Sequence, residues 1–328
     1  IIAEIAQAHD GSLGILHSYI DALAATGVDA VKFQTHIAEA ESSDFEPFRV
    51  KFSYEDATRF DYWKRMEFTP EQWQGIKSHC DNAGVEFMSS PFSNAAVDLL
   101  ENIGVKRYKV GSGEINNLLL LEKIALTKKP VILSSGMSTW GELDEAVQLF
   151  QFNNIPVSVL QCISAYPAKP IQWGLNVIGE LKKRYNIPVG YSDHSGNIYA
   201  CLAAAALGAE IFEFHAVFDK RMFGPDAPAS IEINDIKILV EGIRQIQTAL
   251  ANPAEKTAGG MQDIKAIFEK SLAVNTQLAA GTILQFEHLE AKKPKGHGTA
   301  AGVFRQLLGK KLKYDKNKWD FLQEADVE

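Results

Sequence analysis

Cysteine is scarce in this chain. Cys80, Cys162 and Cys201 are the only three in 328 residues, and no two have CxxC spacing. An odd, scattered set argues against a disulfide framework or a zinc knuckle and points to a reducing cytosol. Long hydrophobic runs are also missing. The most apolar stretch, Cys201–Ala209, falls far short of the roughly 18 residues of a membrane-spanning helix. No signal-peptide pattern opens the chain, so no membrane role is expected. Ile1 already lies inside an apolar run, and a preceding segment is expected. There is no excess of positive charge either. The formal net charge of -8 argues against nonspecific nucleic-acid binding, so an anionic ligand must be held by a local group of cations. No GxGxxG turn follows the first apolar run, which argues against a doubly wound dinucleotide fold.

What is present is a globular mixture, 46% hydrophobic and 23% charged, enough to fill a large core. Short apolar runs rich in β-branched residues alternate with amphipathic stretches, the pattern of repeated βα units. Eight strands are expected, at 1–6, 30–35, 86–92, 107–113, 130–136, 157–164, 188–195 and 210–218. The last helix, over 233–251, would close the ring, so the fold expected is α/β, a (β/α)8 TIM barrel. The expected division is a barrel over 1–252, a polar linker over 253–270 and a small β-rich module over 271–328. The connection from His36 to Thr69 is unusually long and rich in aromatic and charged residues, as lids are. The loops 166–175 and 219–231 are expected on the same face.

In a closed barrel every strand ends at one rim, so residues one βα period apart converge despite their distance in sequence. His194 in YSDHS and His215 in FEFHA end strands seven and eight. Two neutral imidazoles suit a divalent ion such as manganese, and the competing reading is a pair of hydrogen-bonded structural histidines. Glu4 and Glu213 fall near the same point, as ligands, acid–base groups or partners of the histidines, and Glu213 also suits a plain pairing with lysine.

Lys32 in VKFQT and Lys109 in YKVGSGE place two ammonium groups on strands, where a buried lysine needs an anionic partner. Around them stand Ser89 and Ser90, Ser112 and Gly113, Ser134, Ser135 and Gly136, and Ser192. Hydroxyls, glycine amides and two lysines make a cradle for phosphate and carboxylate, although any single serine can be a helix cap. Ser89, Ser112, Ser134 and Ser192 are taken as ligand-binding, with Glu114 beside them and with Gln34 and Tyr166 as neutral groups for a polyhydroxylated ligand.

Together EIAQAHDGS at 4–12, VKFQTH at 31–36, SSPFS at 89–93, YKVGSGEINN at 108–117, ILSSGM at 132–137 and GYSDHS at 190–195 resemble the sialic acid synthase family. LAAGTILQFEHLEAKKPKG, within 271–328, resembles that family's antifreeze-like (SAF) module. The resemblance implies condensation of phosphoenolpyruvate with an N-acetylated amino sugar, N-acetylmannosamine or a relative, to a nonulosonic acid. It implies that Lys32, Lys109, Ser112, Ser134 and Ser192 hold phosphoenolpyruvate and that His194 and His215 bind Mn2+ or Mg2+. Glu4, Gln34, Tyr166 and Asp226 would face the sugar, with Glu4, Lys32, Lys109 and His215 as the catalytic set. It also implies a swapped homodimer in which the module of one subunit, with Lys293 in its substrate-binding loop, caps the other's barrel, and the cysteine usage makes the expected location cytoplasmic.

Ala8, Ser164 and Lys293 depart from bacterial members, where Asn, Asn and Arg stand. Lysine does not reproduce arginine's planar fork, so a legionaminic or pseudaminic acid synthase acting on a diacetamido-dideoxyhexose is the alternative. Outside this class stand a non-catalytic carbohydrate-binding protein and a metal-dependent aldolase that uses pyruvate.

Overall fold

The computed structural model describes residues 1–257 and 259–328. Two compact units divide the chain, Ile1–Pro253 and Ala254–Glu328. The first holds eight parallel strands alternating with helices. They are β1 (Ile2–Glu4), β2 (Ala30–Thr35), β3 (Glu86–Pro91), β4 (Tyr108–Val110), β5 (Val131–Ser134), β6 (Val157–Cys162), β7 (Val189–Asp193) and β8 (Phe212–Val217).

Ladders run in the order β3-β2-β1-β8-β7-β6-β5-β4. β3 and β4 lie side by side, with no ladder between them among the described residues. β4 is short because the backbone turns away at Gly111 into a single 3-10 turn, Ser112–Glu114. The fold is therefore the expected α/β barrel, closed except for that seam.

Side chains alternate across a strand, and in this barrel the alternation separates two cores. Outward residues such as Val31, Phe33, Phe87, Leu133, Val159 and Phe214 join Leu16, Ile76, Leu100, Phe150 and Ile243 of the helices in the main core. Inward residues Ile2, Ala30, Met88, Ile132 and Leu160, with Ile211 against them, form a separate floor. Two residues further along each strand the inward positions are Glu4, Lys32, Ser90, Ser134, Cys162 and Glu213, and all of these line a cavity. The floor position of β7 is Gly190, where a Cβ would collide with the Ile211 carbonyl and with Leu160.

Hydroxyl caps start the helices that follow the strands. Ser12, Ser93 and Thr139 accept from the amides of Ile15, Ala96 and Glu142, each contact contributing about 1 kcal/mol. The stretch 36–69 is not a bare loop. It carries the helices Ala38–Glu41 and Arg59–Met66, and Ala38, Tyr62, Trp63 and Met66 pack with Phe48, Phe52 and Phe60 in a core of their own. The helix Ile233–Ala251 ends the unit as the spacing predicts.

In the second unit Ser271–Val274 pairs antiparallel with Leu289–Lys292, over a core of Leu272, Val274, Leu278, Leu284, Leu307, Leu312, Leu322 and Val327. Part of the stretch read as linker is ordered: Gln262–Phe268 is a helix, whose apolar spacing the polar composition around it masks. Residue 258 of that stretch lies outside the described residues. Among the described residues no helix is long and apolar enough to cross a membrane.

Candidate active site

The cavity above the barrel floor measures about 420 Å³, within the range of small-molecule sites. Strand register builds its base. Glu4 on β1 pairs with Lys32 on β2 and with His215 on β8, so these three side chains project from adjacent strands at one level. Lys32 Nζ lies 2.7 Å from Glu4 Oε2, 3.8 Å from Glu213 Oε1 and 3.3 Å from Ser90 Oγ. Lys109 Nζ donates to the same Glu213 oxygen at 2.8 Å, as does Ser192 Oγ at 3.2 Å.

Electrostatics fix the charge states. Burial raises the Glu4 carboxyl, but Lys32, His215 and Lys109 outweigh it and hold the group far below the usual carboxylate range. Burial lowers the Lys32 ammonium, and Glu213 and Glu4 overcome that and raise it. Two lysines against two carboxylates leave the base close to neutral. Ser134 Oγ and Glu213 Oε2 are buried there without a partner in the protein.

The two histidine rings are neighbours, with centroids 5.2 Å apart and planes tilted by 52°. His194 Nδ1 lies 2.8 Å from the Ile163 carbonyl, which makes Nδ1 the donor and leaves Nε2 for the cavity, where Tyr166 Oη sits 3.0 Å away. Burial lowers His194, but Cys162 beside it and the Ile163 carbonyl raise it to about 9, so a metal ion would have to displace a proton there. His215 is lowered, by burial first, with Glu4 and Asp226 opposing, which favours the neutral imidazole, the form able to ligate a metal. Among the described residues no cluster of three or more His, Cys, Asp or Glu could hold a metal ion. The fit to a divalent ion therefore rests on two imidazoles open to the cavity, with water and ligand completing the shell. It also rests on charge, because a near-neutral base needs added positive charge to retain any multiply anionic ligand.

Most of the expected residues meet in this cavity: Glu4, Lys32, Gln34, Lys109, Ser112, Glu114, Ser134, Tyr166, Ser192, His194, His215 and Asp226 all line it. Ser89 does not. It occupies an outward position on β3, bonded to Thr35 Oγ1 at 2.7 Å and the Phe33 carbonyl at 3.2 Å, and Ser90 faces the ligand space instead. Ser112 acts mainly on the backbone, accepting from Gly136 N at 3.0 Å. A Cβ at Gly136 would sit 2.8 Å from that hydroxyl and 2.6 Å from Ser164 Oγ. Lys293 belongs to the second unit, with its ammonium 4.6 Å from the Phe268 ring centre. Of the departures, Ser164 lines the cavity and Ala8 does not.

The residues that sequence reading missed come largely from 36–69. Arg49 donates to Asp226 Oδ1 at 2.8 Å and lies over the Tyr166 ring at 4.3 Å. His36 is stacked between Trp63 and Phe92, with centroids 4.0 and 4.6 Å away. Gln7, Glu41, Glu46, Arg59 and Cys162 also line the cavity. The unusual loop length was the one signal for the loop residues, and alternation from Leu160 was the signal for Cys162.

The NeuB family profile matches residues 19–255. Similar curated proteins include the N,N'-diacetyllegionaminic acid synthase of Campylobacter jejuni, 35% identical over 94% of this chain and 94% of that protein. The N-acetylneuraminate-9-phosphate synthase of Mus musculus is 33% identical over 100% of this chain and 92% of its own. Among solved structures, the N-acetylneuraminic acid (sialic acid) synthetase of Leptospira borgpetersenii serovar Hardjo-bovis superposes with a TM-score of 0.71 at 30% identity, covering 80% of this chain and 88% of that one. With the barrel, the lysine–carboxylate base and the paired histidines, these matches place the chain in a family by sequence and by fold: it belongs to the NeuB family.

Proposed function

We propose that this chain condenses phosphoenolpyruvate with an N-acetylated amino sugar, N-acetylmannosamine or a relative, and water, giving a nonulosonic acid and phosphate. The observation that carries it is the meeting of Lys32 and Lys109 with His194 and His215 in one cavity. In this reading the lysines, Ser90, Ser134 and Ser192 hold the phosphate and carboxylate, with the unpartnered Ser134 hydroxyl donating to an oxygen of the ligand. A Mn2+ or Mg2+ ion held by His194 and His215 would supply Lewis-acid polarisation of the sugar's aldehyde oxygen.

Carbon three of phosphoenolpyruvate bonds to the aldehyde carbon as the carbonyl π bond opens to an alkoxide, and the cation left at carbon two takes up water, whose released proton goes to that alkoxide. Glu4, kept ionised by Lys32, acts as a fixed negative charge that stabilises the cation at carbon two. Collapse of the tetrahedral centre breaks the bond between carbon two and the phosphate oxygen, and Lys32 and Lys109 stabilise the charge on the departing phosphate. Tyr166, whose phenol burial holds protonated, and Gln34 and Asp226 orient the sugar.

The reading extends to an antifreeze-like (SAF) second unit that carries Lys293 to the barrel of a second copy in a swapped homodimer. It extends to a cytoplasmic location, in keeping with three buried free thiols. An acceptor with two acetamido groups is the second reading, favoured by the likeness to the legionaminic acid synthase. The test is to incubate the protein with phosphoenolpyruvate, Mn2+ and a panel of N-acetylated hexoses, measuring phosphate and weighing the products. A product whose mass is that of both substrates plus water less phosphate is expected, and an inert phosphoenolpyruvate with every sugar overturns the reading.

A further inference from the structure

The cavity has a second charged region, formed where 36–69 meets the barrel. Arg49 there is answered by Asp226 at 2.8 Å, and Arg59 by Glu46 at 2.9 Å. Glu41 and Glu114 also line the cavity, and among the described residues no lysine or arginine pairs with either. With His36 the basic partner of Glu41, this part of the wall sets four carboxylates, Glu41, Glu46, Glu114 and Asp226, against the two arginines.

Glu41 is the buried member, its side chain 8% exposed. One oxygen, Oε1, lies 2.6 Å from His36 Nδ1, and the stacking of His36 between Trp63 and Phe92 fixes that contact. The other oxygen, Oε2, is buried with no partner. A charged acceptor left unmatched in this way is costly unless a ligand completes it. His36 Nε2 lies 3.0 Å from Gln7 Nε2, Gln7 bonds Gln34, and Gln34 donates to Glu4 Oε1 at 2.8 Å. Glu41 thus stands at the far end of a hydrogen-bonded row from Glu4, with His36 and Gln34 between them. Glu114, held by Asn117 at 2.7 Å, lines the same cavity, and its carboxyl is raised by burial first and also by Glu41's charge.

We propose that Glu41, flanked by Glu114, is the specificity determinant for the end of the acceptor sugar remote from its aldehyde. Its free oxygen accepts an N–H or O–H of an uncharged substituent, and the paired negative charge turns away an acceptor phosphorylated at that end. The proposal rests on the synthase reading and adds the selection to it. Replacing Glu41 by Gln reverses the hydrogen-bond sense: the amide oxygen keeps His36, and an N–H donor stands where the unpartnered carboxylate oxygen was.

The experiment uses the full chain with phosphoenolpyruvate and Mn2+, and compares N-acetylmannosamine with its 6-phosphate on the wild type, Glu41→Gln and Glu114→Gln. Steady-state kinetics are paired with calorimetric binding of each sugar. The wild type is expected to bind the neutral sugar more tightly. Glu41→Gln should weaken the neutral sugar about tenfold, strengthen the phosphorylated one, and leave the KM for phosphoenolpyruvate unchanged. Glu114→Gln should relieve the exclusion of phosphate more than it weakens the neutral sugar. Equal affinity of the wild type for both sugars, binding of neither, or a Glu41→Gln protein with unchanged sugar preference overturns the proposal. A wild type that binds sugar selectively but releases no phosphate overturns the synthase reading alone, and the binding comparison still decides this one.

Discussion

Glu213 and Lys109 stand on opposite sides of the barrel, on β8 and β4, and their side chains meet across its interior at 2.8 Å. Lys32 reaches the same carboxylate oxygen at 3.8 Å. Glu213 thus ties strands that share no ladder, and it does so where both partners are only 3% exposed.

Removing Glu213 leaves Lys109 unpaired and Lys32 with Glu4 alone. Glu213→Ala is expected to lower stability by about 3–5 kcal/mol, as for a buried pair broken on one side. The double variant Glu213→Leu with Lys109→Met should recover much of that. Urea midpoints measure both, and a Glu213→Ala midpoint equal to wild type would show that the pair is not structural.

Ser89 and Ser90 are adjacent in sequence and opposite in role. Ser90→Ala should raise the KM for phosphoenolpyruvate with little effect on the sugar, because Ser90 Oγ touches Lys32. Ser89→Ala should leave both KM values alone and cost about 1 kcal/mol, because its hydroxyl serves only Thr35 and the Phe33 carbonyl. Lys109→Ala should likewise weaken phosphoenolpyruvate more than the sugar. Equal kinetic effects of the two serine changes would contradict the inward–outward assignment.

This pair also shows how far the sequence could be read. The barrel, its final helix and most of the site followed from a βα period and from strand ends sharing one rim, which are local patterns. Choosing Ser90 over Ser89 needed the phase of the alternation, which Met88 supplies only once it is known to lie in the floor cluster. Arg49, Glu41 and Glu46 were out of reach, since an irregular segment has no period from which to infer direction. The helix Gln262–Phe268 was hidden by the polar composition on its N-terminal side.

Metal binding can be read without turnover. His215→Ala should weaken Mn2+ at least tenfold in electron paramagnetic resonance titrations and abolish metal-dependent phosphate release. Retained Mn2+ affinity in that variant would remove His215 from the ligand set.

Glu114 gives a pH signature. Burial is the main cause that raises its carboxyl, Asn117 works against that, and Glu41 adds to it. The folded state therefore keeps a proton that the unfolded chain has released, and stability falls as pH rises from about 4.5 through the raised value. Glu114→Gln should flatten that fall in urea melts taken between pH 4 and pH 7. An unchanged slope would mean that Glu114 titrates as an exposed carboxyl does.

The central claim is that the lysines proposed to hold phosphate and the histidines proposed to hold metal share one cavity. The most direct measurement is the 31P relaxation of bound phosphoenolpyruvate with Mn2+ present. The account predicts strong paramagnetic broadening in the wild type that is lost in His215→Ala, even where phosphoenolpyruvate still binds. Phosphoenolpyruvate that binds the wild type with a 31P signal indifferent to Mn2+ would contradict it.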